Sequence, residues 1–265
     1  MNFLSRLLLL ATAMPLFTAS ALQASETSAS ATPVYELRIY TTNEGKLPNL
    51  LARFRDHTFG LFEKHGITNI GYWTPIEKED GADTTLIYLL SHKSREAAKA
   101  SYAAFGQDPA WKSALAASEV NGKILAKPPE SIFLDITAYS PKIEITKSAT
   151  PRVFELRTYT TTPGNLDNLH ARFTNHTMKL FSKYGMSHLG YWTPSDADKG
   201  KDNTLIYLLF HNSKEAGLES FTNFRKDPDW IAAKGLSEKD GSLTIPQPDG
   251  VKSVYLKAVD FSPIE

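Results

Sequence analysis

Two histidines occur in matching local settings in the two halves of the chain. His57 and His176 are each followed by Thr, and an Arg stands four positions before each. The apolar residues around both recur at helical spacing, which predicts that each imidazole lies on the buried face of a helix. A His in such a place is either a hydrogen-bonded core residue or a group that faces a cavity. Both interpretations stay open, and His57 and His176 are the candidate catalytic residues.

The arginines one helical turn earlier, Arg53 and Arg172, are candidate ligand-binding residues. We expect their aliphatic stems to flank the apolar stripe while the guanidinium groups reach water. A positive charge four positions before a His also makes the protonated imidazole less favourable.

A second polar set alternates with apolar residues along a predicted strand. It consists of Glu36, Arg38 and Tyr40, and it is repeated as Glu155, Arg157 and Tyr159. If the intervening apolar residues meet helices, this set faces a partner sheet, inside a barrel or at its rim. The set would then either form an ion-pair network that fixes the register of the two halves, or line a polar cavity. Such a cavity would accept a carboxylate or another small anion through Arg38 and Arg157.

The segment GYWTP, which occurs twice, places Trp73 and Trp192 beside tyrosines on another predicted strand. One aromatic residue of each pair must face helices and the other a barrel. Large aromatic side chains in such places are usually core, and the two tryptophans are kept as candidate ligand contacts.

Sequence motifs for metal or nucleotide chemistry are missing. The chain has no Cys, no H-E-x-x-H, no G-x-S-x-G, no P-loop and no G-x-G-x-x-G. Thiol redox chemistry, iron–sulfur clusters and thiolate zinc sites are therefore excluded. The sequence predicts no metal and no cofactor. One His per half would suffice as the axial ligand of a haem, so a haem site stays open.

The chain repeats itself with an offset of 119 residues. Between Val34 and Pro75, 25 of 42 positions are identical to the second copy, without a gap. Two copies of about 110 residues indicate two similar domains rather than a solenoid array. We predict domains at 34–141 and 151–265, joined by a linker at 142–150.

Each copy reads as strand, helix, strand, strand, helix, strand. The first strand alternates through Tyr35–Tyr40, and the helix that carries His57 ends at Gly66. Strands follow at Ile67–Thr74, Thr84–Leu90 and Ile132–Tyr139, and Ser94 caps the second helix. This β-α-β-β-α-β order predicts an α+β, ferredoxin-like domain with both helices on one face of an antiparallel sheet. The bare faces of the two sheets are expected to pack together within one chain.

The combination YELR, the helical HT, GYWTP and DP followed by Trp resembles the NIPSNAP family over both copies. The resemblance implies tandem NIPSNAP domains of the dimeric α–β barrel superfamily, here as an intrachain barrel. The superfamily also contains small monooxygenases, isomerases and haem-dependent enzymes.

The N-terminal residues indicate export. One Arg, an apolar run from Leu7 to Phe17 and an Ala19-Ser20-Ala21 site form a secretory signal peptide over 1–24, and 25–33 reads as a disordered leader. We expect a periplasmic or secreted protein with no membrane span after cleavage. Lys plus Arg equals Asp plus Glu, at 29 each, so no charge surplus points to nucleic acid.

Two functional hypotheses follow. The first is an exported, non-catalytic protein that binds a small molecule or a partner, with the formation of homo-oligomers left open. The second is a small α–β barrel enzyme, a cofactor-free monooxygenase or isomerase, that acts on a small hydrophobic or aromatic substrate.

Overall fold

Eight antiparallel strands form a single closed barrel. The computed structural model describes residues 32–265. The strands are β1 (Val34–Thr41), β2 (Thr68–Pro75), β3 (Thr85–His92), β4 (Glu130–Ile136), β5 (Val153–Thr160), β6 (Ser187–Pro194), β7 (Thr204–His211) and β8 (Val251–Ala258). Their order around the barrel is β1-β3-β2-β8-β5-β7-β6-β4, and β4 closes onto β1.

Each repeat contributes four strands in the spatial order 4-1-3-2, as a ferredoxin-like unit does. The two units join at two seams, where β2 pairs with β8 and β4 pairs with β6. The fourth strand of each repeat therefore completes the sheet of the other. The α+β fold and the intrachain barrel predicted from the repeat are confirmed.

Helices cover the outside of the barrel. They are α1 (Leu47–Arg53), α2 (Phe59–Lys64), α3 (Arg95–Gln107), α4 (Pro109–Ser118), α5 (Leu166–Arg172), α6 (Met178–Lys183), α7 (Lys214–Lys226) and α8 (Pro228–Ser237). Ser94 caps α3 by accepting a bond from the Ala97 N–H at 3.1 Å, and Ser213 caps α7 in the same way. Asp108 and Asp227 cap α4 and α8.

The barrel interior is apolar. Tyr35 and Leu37 of β1 lie there, with Trp73 against Phe154 and Trp192 against Tyr35. An eight-stranded barrel is just wide enough for its own side chains to fill it. Its apolar interior therefore offers no partner for a charged side chain. The prediction that Glu36, Arg38 and Tyr40 face the partner sheet is therefore wrong. These residues, with Glu155, Arg157 and Tyr159, face the helices.

The Gly of each GYW segment makes room for the Trp ring two residues later. A Cβ on Gly71 would lie 2.3 Å from the Trp73 ring, and one on Gly190 would lie 2.5 Å from the Trp192 ring. A bulge at the same place shifts the register of each strand. Glycine is thus required where the indole folds back over its own strand.

A π-helical segment interrupts the first helix of each repeat. It covers Phe54–Thr58 between α1 and α2, and Phe173–Thr177 between α5 and α6. The Phe59 N–H bonds to the Phe54 carbonyl, five residues back. This wider turn changes which side chains face the core, so Thr58 and Thr177 are buried, whereas His57 and His176 are exposed. The prediction of buried histidines is wrong.

The predicted signal peptide (1–24) and most of the predicted leader (25–33) lie outside the described residues. Between residues 32 and 265, no helix combines the length and the apolar character that a membrane crossing needs.

Candidate functional site

A buried carboxylate organises the space between sheet and helices in the first repeat. Glu36 accepts hydrogen bonds from Arg38 Nη1 at 2.5 Å, Ser131 Oγ at 2.6 Å and Tyr102 OH at 2.7 Å. The Nε2 of His92 lies 2.9 Å from Oε2, the oxygen that also accepts from Tyr102, whereas Arg38 and Ser131 bond Oε1. A fully buried charge is tolerated only when it is paired and hydrogen-bonded, and these four groups meet that condition.

The second repeat builds the same cluster with one donor fewer. Glu155 is bonded by Arg157 Nη1 and Ser253 Oγ, each at 2.5 Å, and by His211 Nε2 at 2.9 Å. Phe221 stands where the first repeat has Tyr102. The phenol that bonds Glu36 thus has no counterpart at Glu155.

These bonds keep both carboxylates ionised. Burial alone would raise the pKa of Glu36, but the hydrogen bond with His92 and the charge of Arg38 outweigh it and lower the pKa to about 2. The pKa of Glu155 is also lowered, because His211 and Arg157 together outweigh the burial that would raise it.

The two candidate arginines of the helices are buried, which corrects the prediction that they reach water. Arg53 Nη1 donates to Ser118 Oγ at 3.2 Å and lies 3.9 Å from Glu119. Arg172 Nη1 donates to Glu238 at 2.7 Å. The π-helical segment follows directly after each arginine, and the Arg carbonyl accepts the hydroxyl of the buried Thr five residues later.

A cavity of about 680 Å³ lies between the helices and the sheet of the second repeat. A volume of this size is typical of small-molecule sites. We refer to it as the second-repeat cavity. It is lined by Arg157, Tyr159, Arg172, Phe221, Phe224, Arg225, Trp230, Ile231, Lys234, Gly235, Glu238, Ser242, Thr244, Gln247 and Val251.

Arg157 is held rigidly in the cavity wall. Its Nε donates to Tyr207 OH at 2.9 Å, Nη1 donates to Glu155, and Nη2 donates to Tyr159 OH at 3.3 Å. A guanidinium carries five N–H donors, so two remain for a ligand. The Arg157 carbon Cζ also lies 4.3 Å from the centroid of the Phe221 ring.

The Arg172 side of the cavity is aromatic. The Arg172 Cζ lies 5.1 Å from the centroid of the Trp230 ring, and the Trp230 and Phe224 rings are 4.4 Å apart. Within residues 32–265 the Nε of Arg172 has no hydrogen-bond partner, and the same holds for Arg53. An anion with a flat apolar body would find both cations and ring faces here.

The charges around the cavity are mostly positive. Four cationic side chains line it, namely Arg157, Arg172, Arg225 and Lys234, against one carboxylate, Glu238. Because the whole chain is neutral by formal charge, this is a local concentration of positive charge. The arrangement suits a negatively charged ligand.

The predicted site residues separate into three places. The cavity brings together Arg157, Tyr159 and Arg172, with Glu155 behind Arg157. The first repeat holds the equivalent residues Glu36, Arg38, Tyr40 and Arg53, where Arg38 Nη2 donates to Tyr40 OH at 3.3 Å. Trp73 and Trp192 lie inside the barrel and contact neither set.

The candidate histidines lie away from the cavity. His57 is exposed, and His176 lines two other hollows beside Leu236, one of about 270 Å³ that it shares with Arg172 and one of about 630 Å³. The histidines that bond the buried glutamates are His92 and His211, at the ends of β3 and β7. Each lies on the neighbouring strand, opposite Val34 or Val153, two residues before the Glu, and this proximity was not recognisable without the strand pairing.

Sequence reasoning also missed Phe221, Arg225, Lys234 and Thr244 of the cavity wall. Aligning the repeats reveals the signal, because these positions carry Tyr102, Gly106, Leu115 and Leu125 in the first copy. Leu125 packs against the helix-side core of the first repeat, a place that the smaller, polar Thr244 takes in the second. Within residues 32–265, no group of three or more His, Asp or Glu side chains could hold a metal ion.

Comparison with known proteins agrees with this architecture. An anthrone oxidase-like protein superimposes with a TM-score of 0.57 at 15% identity, covering 88% of this chain and 94% of that one. A candidate monooxygenase from Fusobacterium nucleatum gives 0.54 at 15% identity, covering 87% and 94%. These likenesses show the fold alone.

The sequence relationships identify the family. The NipSnap homolog of Dictyostelium discoideum is 26% identical over 208 residues, which are 77% of this chain and 80% of that protein. The NIPSNAP family profile matches residues 35–141 and again residues 154–263, so that both repeats are covered. The chain belongs to the NIPSNAP family.

Proposed function

We propose that this NIPSNAP protein binds a small organic anion with an aromatic or apolar body in the second-repeat cavity, without transforming it. The observation that carries the proposal is the pairing of two arginines, Arg172 buried and Arg157 half-buried, with aromatic rings in one cavity of ligand size. Arg157 and Arg172 would bind the acidic group, and Phe221, Phe224 and Trp230 would contact the body of the ligand.

A binding role rather than catalysis is favoured by the groups around the cavity. The one carboxylate in its lining, Glu238, is engaged by Arg172, and the exposed His176 lies elsewhere. General acid–base catalysis needs a titratable group within hydrogen-bond reach of the reacting atom. The proposal includes no metal and no cofactor.

The test compares the same substitution in both repeats. Arg172→Lys keeps the charge but removes the planar fork that matches a carboxylate, and Arg53→Lys is its matched control. In calorimetric titrations, we expect the affinity for benzoate to be about tenfold lower in Arg172→Lys than in the parent protein and unchanged in Arg53→Lys. Benzamide, which has the same ring without the charge, should bind at least tenfold more weakly than benzoate.

Absence of benzoate binding to the parent protein would contradict the proposal, and so would an equal loss in both variants. Native mass spectrometry of protein purified from its own host would then identify the natural ligand, which should appear as a mass increment that is lost on denaturation.

An enzymatic role is the second candidate, and the hydroxyl of Tyr159 favours it. This hydroxyl accepts a bond from Arg157 inside the cavity, where it could exchange a proton with an aromatic substrate. The barrel neighbours whose descriptions mention a monooxygenase and an anthrone oxidase make dioxygen the oxidant to test. Oxygen uptake with anthrone that Tyr159→Phe abolishes would favour this candidate over plain binding.

Export belongs to the same proposal. The Ala19-Ser20-Ala21 site follows an apolar run of signal-peptide length, which supports cleavage near Ala21 or Ala24. N-terminal sequencing of protein from the periplasm or medium should begin after one of these residues. An intact Met1 in a membrane fraction would contradict export.

A further inference from the structure

Two cations at the mouth of the second-repeat cavity have no equivalent in the first repeat. Arg225 lies on α7 and Lys234 on α8, and both line the cavity with exposed side chains. The corresponding first-repeat residues are Gly106 and Leu115. Two separate helices of the second repeat thus each carry a positive charge in the lining of the same cavity, where the first repeat carries none.

Arg225 and Lys234 have weaker carboxylate partners than the two arginines deeper in the cavity. Arg157 is neutralised by Glu155, and Arg172 by Glu238 at 2.7 Å. Within the described part of the chain, Arg225 forms no salt bridge, and Lys234 lies 3.8 Å from Glu238, which Arg172 already engages. The mouth therefore carries positive charge that the protein itself leaves largely unmatched.

The difference in cations extends beyond the cavity lining. The exposed Lys226, which does not line the cavity, stands where the first repeat has Gln107, whereas Ile231 of the lining stands where the first repeat has Lys112. Within the lining, these differences place an apolar wall next to a cationic mouth.

We propose that the ligand is a dianion, with one acidic group at Arg157 and Arg172 and the second at Arg225 and Lys234. This inference rests on the proposed function, because it specifies the ligand class of the same cavity. The aromatic wall of Phe224 and Trp230 would contact the apolar body between the two acidic groups. Charge-assisted hydrogen bonds to both ends would then select a diacid over a monoacid of the same shape.

The experiment measures the affinities of two diacids and of their monomethyl esters, which keep the shape but lose one charge. Benzene-1,4-dicarboxylate and biphenyl-4,4′-dicarboxylate sample two separations of the acidic groups. We expect at least one diacid to bind about tenfold or more tightly than its own ester. Arg225→Gln and Lys234→Gln should each reduce the binding of that diacid about five- to tenfold, and should reduce the binding of the singly charged ester by a clearly smaller factor.

Lys226→Gln is the matched control, since Lys226 is exposed on α7 beside Arg225 but does not line the cavity. It should change neither affinity. The dianion inference is overturned if neither diacid binds more tightly than its ester, or if Lys226→Gln weakens binding as much as Arg225→Gln. In either case, ester binding that still falls in Arg172→Lys would leave the proposed function standing. If no ester and no diacid binds, both proposals fail.

Discussion

The two repeats share one scaffold but differ at the surface where a ligand would bind. Both bury a Glu against an Arg, a His and a Ser between sheet and helices. The first repeat completes this cluster with Tyr102, whereas the second has Phe221 and a cavity lined with additional cations. The duplication thus conserves the buried polar cluster, and the differences accumulate around it.

This difference separates stability from binding. The Glu–Arg–His cluster orients Arg38 and Arg157 in both repeats, so its structural role does not depend on a ligand. The replacements at Gly106 and Leu115 occur on the helical walls, and the one at Leu125 occurs in a loop that bridges to Thr42 just after β1, so they change the cavity wall but not the polar cluster. We therefore expect substitutions in the cluster to affect stability in either repeat, and substitutions in the wall to affect binding in the second alone.

Acid pH offers the largest effect. The pKa of Glu36 is about 2 in the folded state against 4.5 for an ordinary Glu. Because the folded pKa is depressed, this carboxylate stabilises the fold above about pH 4.5, and the contribution is lost as the pH falls toward about 2. At neutral pH, the shift contributes on the order of 3 kcal/mol to the free energy of unfolding. Urea unfolding of the parent protein between pH 7 and pH 3 should show the decline.

Glu36→Gln should be less stable at neutral pH and should show a shallower decline over the same range. Glu155→Gln should change in the same direction, because the pKa of Glu155 is lowered by the same kind of partners. A pH slope identical to that of the parent in both variants would show that the cluster does not contribute to acid sensitivity.

The next smaller effect is expected when each of Tyr102 and Phe221 is replaced by the residue of the other repeat, which tests the comparison directly. Tyr102→Phe removes the bond to Glu36 and should cost about 1.5 kcal/mol without changing ligand affinity. Phe221→Tyr adds a hydroxyl next to Arg157, where it can bond Glu155. It should lower benzoate affinity about tenfold at unchanged or higher stability. Thermal melts and calorimetric titrations of both variants measure the two quantities, and a Phe221→Tyr protein with full affinity would contradict this account of the cavity.

The fold was predictable because its evidence is repeated in the sequence. The alternation in Glu36–Tyr40 and the copies of GYWTP predict strands, and the offset of 119 residues predicts two similar halves that build one barrel. The face of the charged set was not predictable in the same way. Alternation tells which residues share a face, but both faces of this sheet are buried, one by helices and one by the barrel interior. The donors that decide the orientation, His92 and Ser131, are distant in sequence from Glu36.

The site was predictable in part for a related reason. Arg157, Tyr159 and Arg172 were recognised as candidate residues, and the cavity contains all three. Arg225 and Lys234 resemble ordinary surface cations unless they are compared with Gly106 and Leu115. The histidines were placed on the wrong face because their burial was inferred from a regular α-helical period, which a π-helical segment does not follow.

The π-helical segment gives the smallest expected effect on stability, and it gives the sharpest contrast between two neighbouring residues. Thr58 is buried, and its hydroxyl donates to the Arg53 carbonyl at 3.2 Å, whereas His57 is exposed. Thr58→Val keeps the shape but removes that bond, and we expect a loss of about 1 kcal/mol. His57→Ala removes no buried group, so its free energy of unfolding should stay within about 0.5 kcal/mol of the parent.

The same pair in the second repeat, Thr177→Val and His176→Ala, is the internal replicate, because Thr177 donates to the Arg172 carbonyl at 3.1 Å. Thermal and urea unfolding of all four variants decide the question. If the His variants lose as much stability as the Thr variants, the imidazoles are buried and the helices lack the π-helical segment in solution. If the Thr variants alone lose stability, the two histidines are free of a structural role in both repeats. The HT pair then marks the wider turn that holds Arg53 and Arg172 in place.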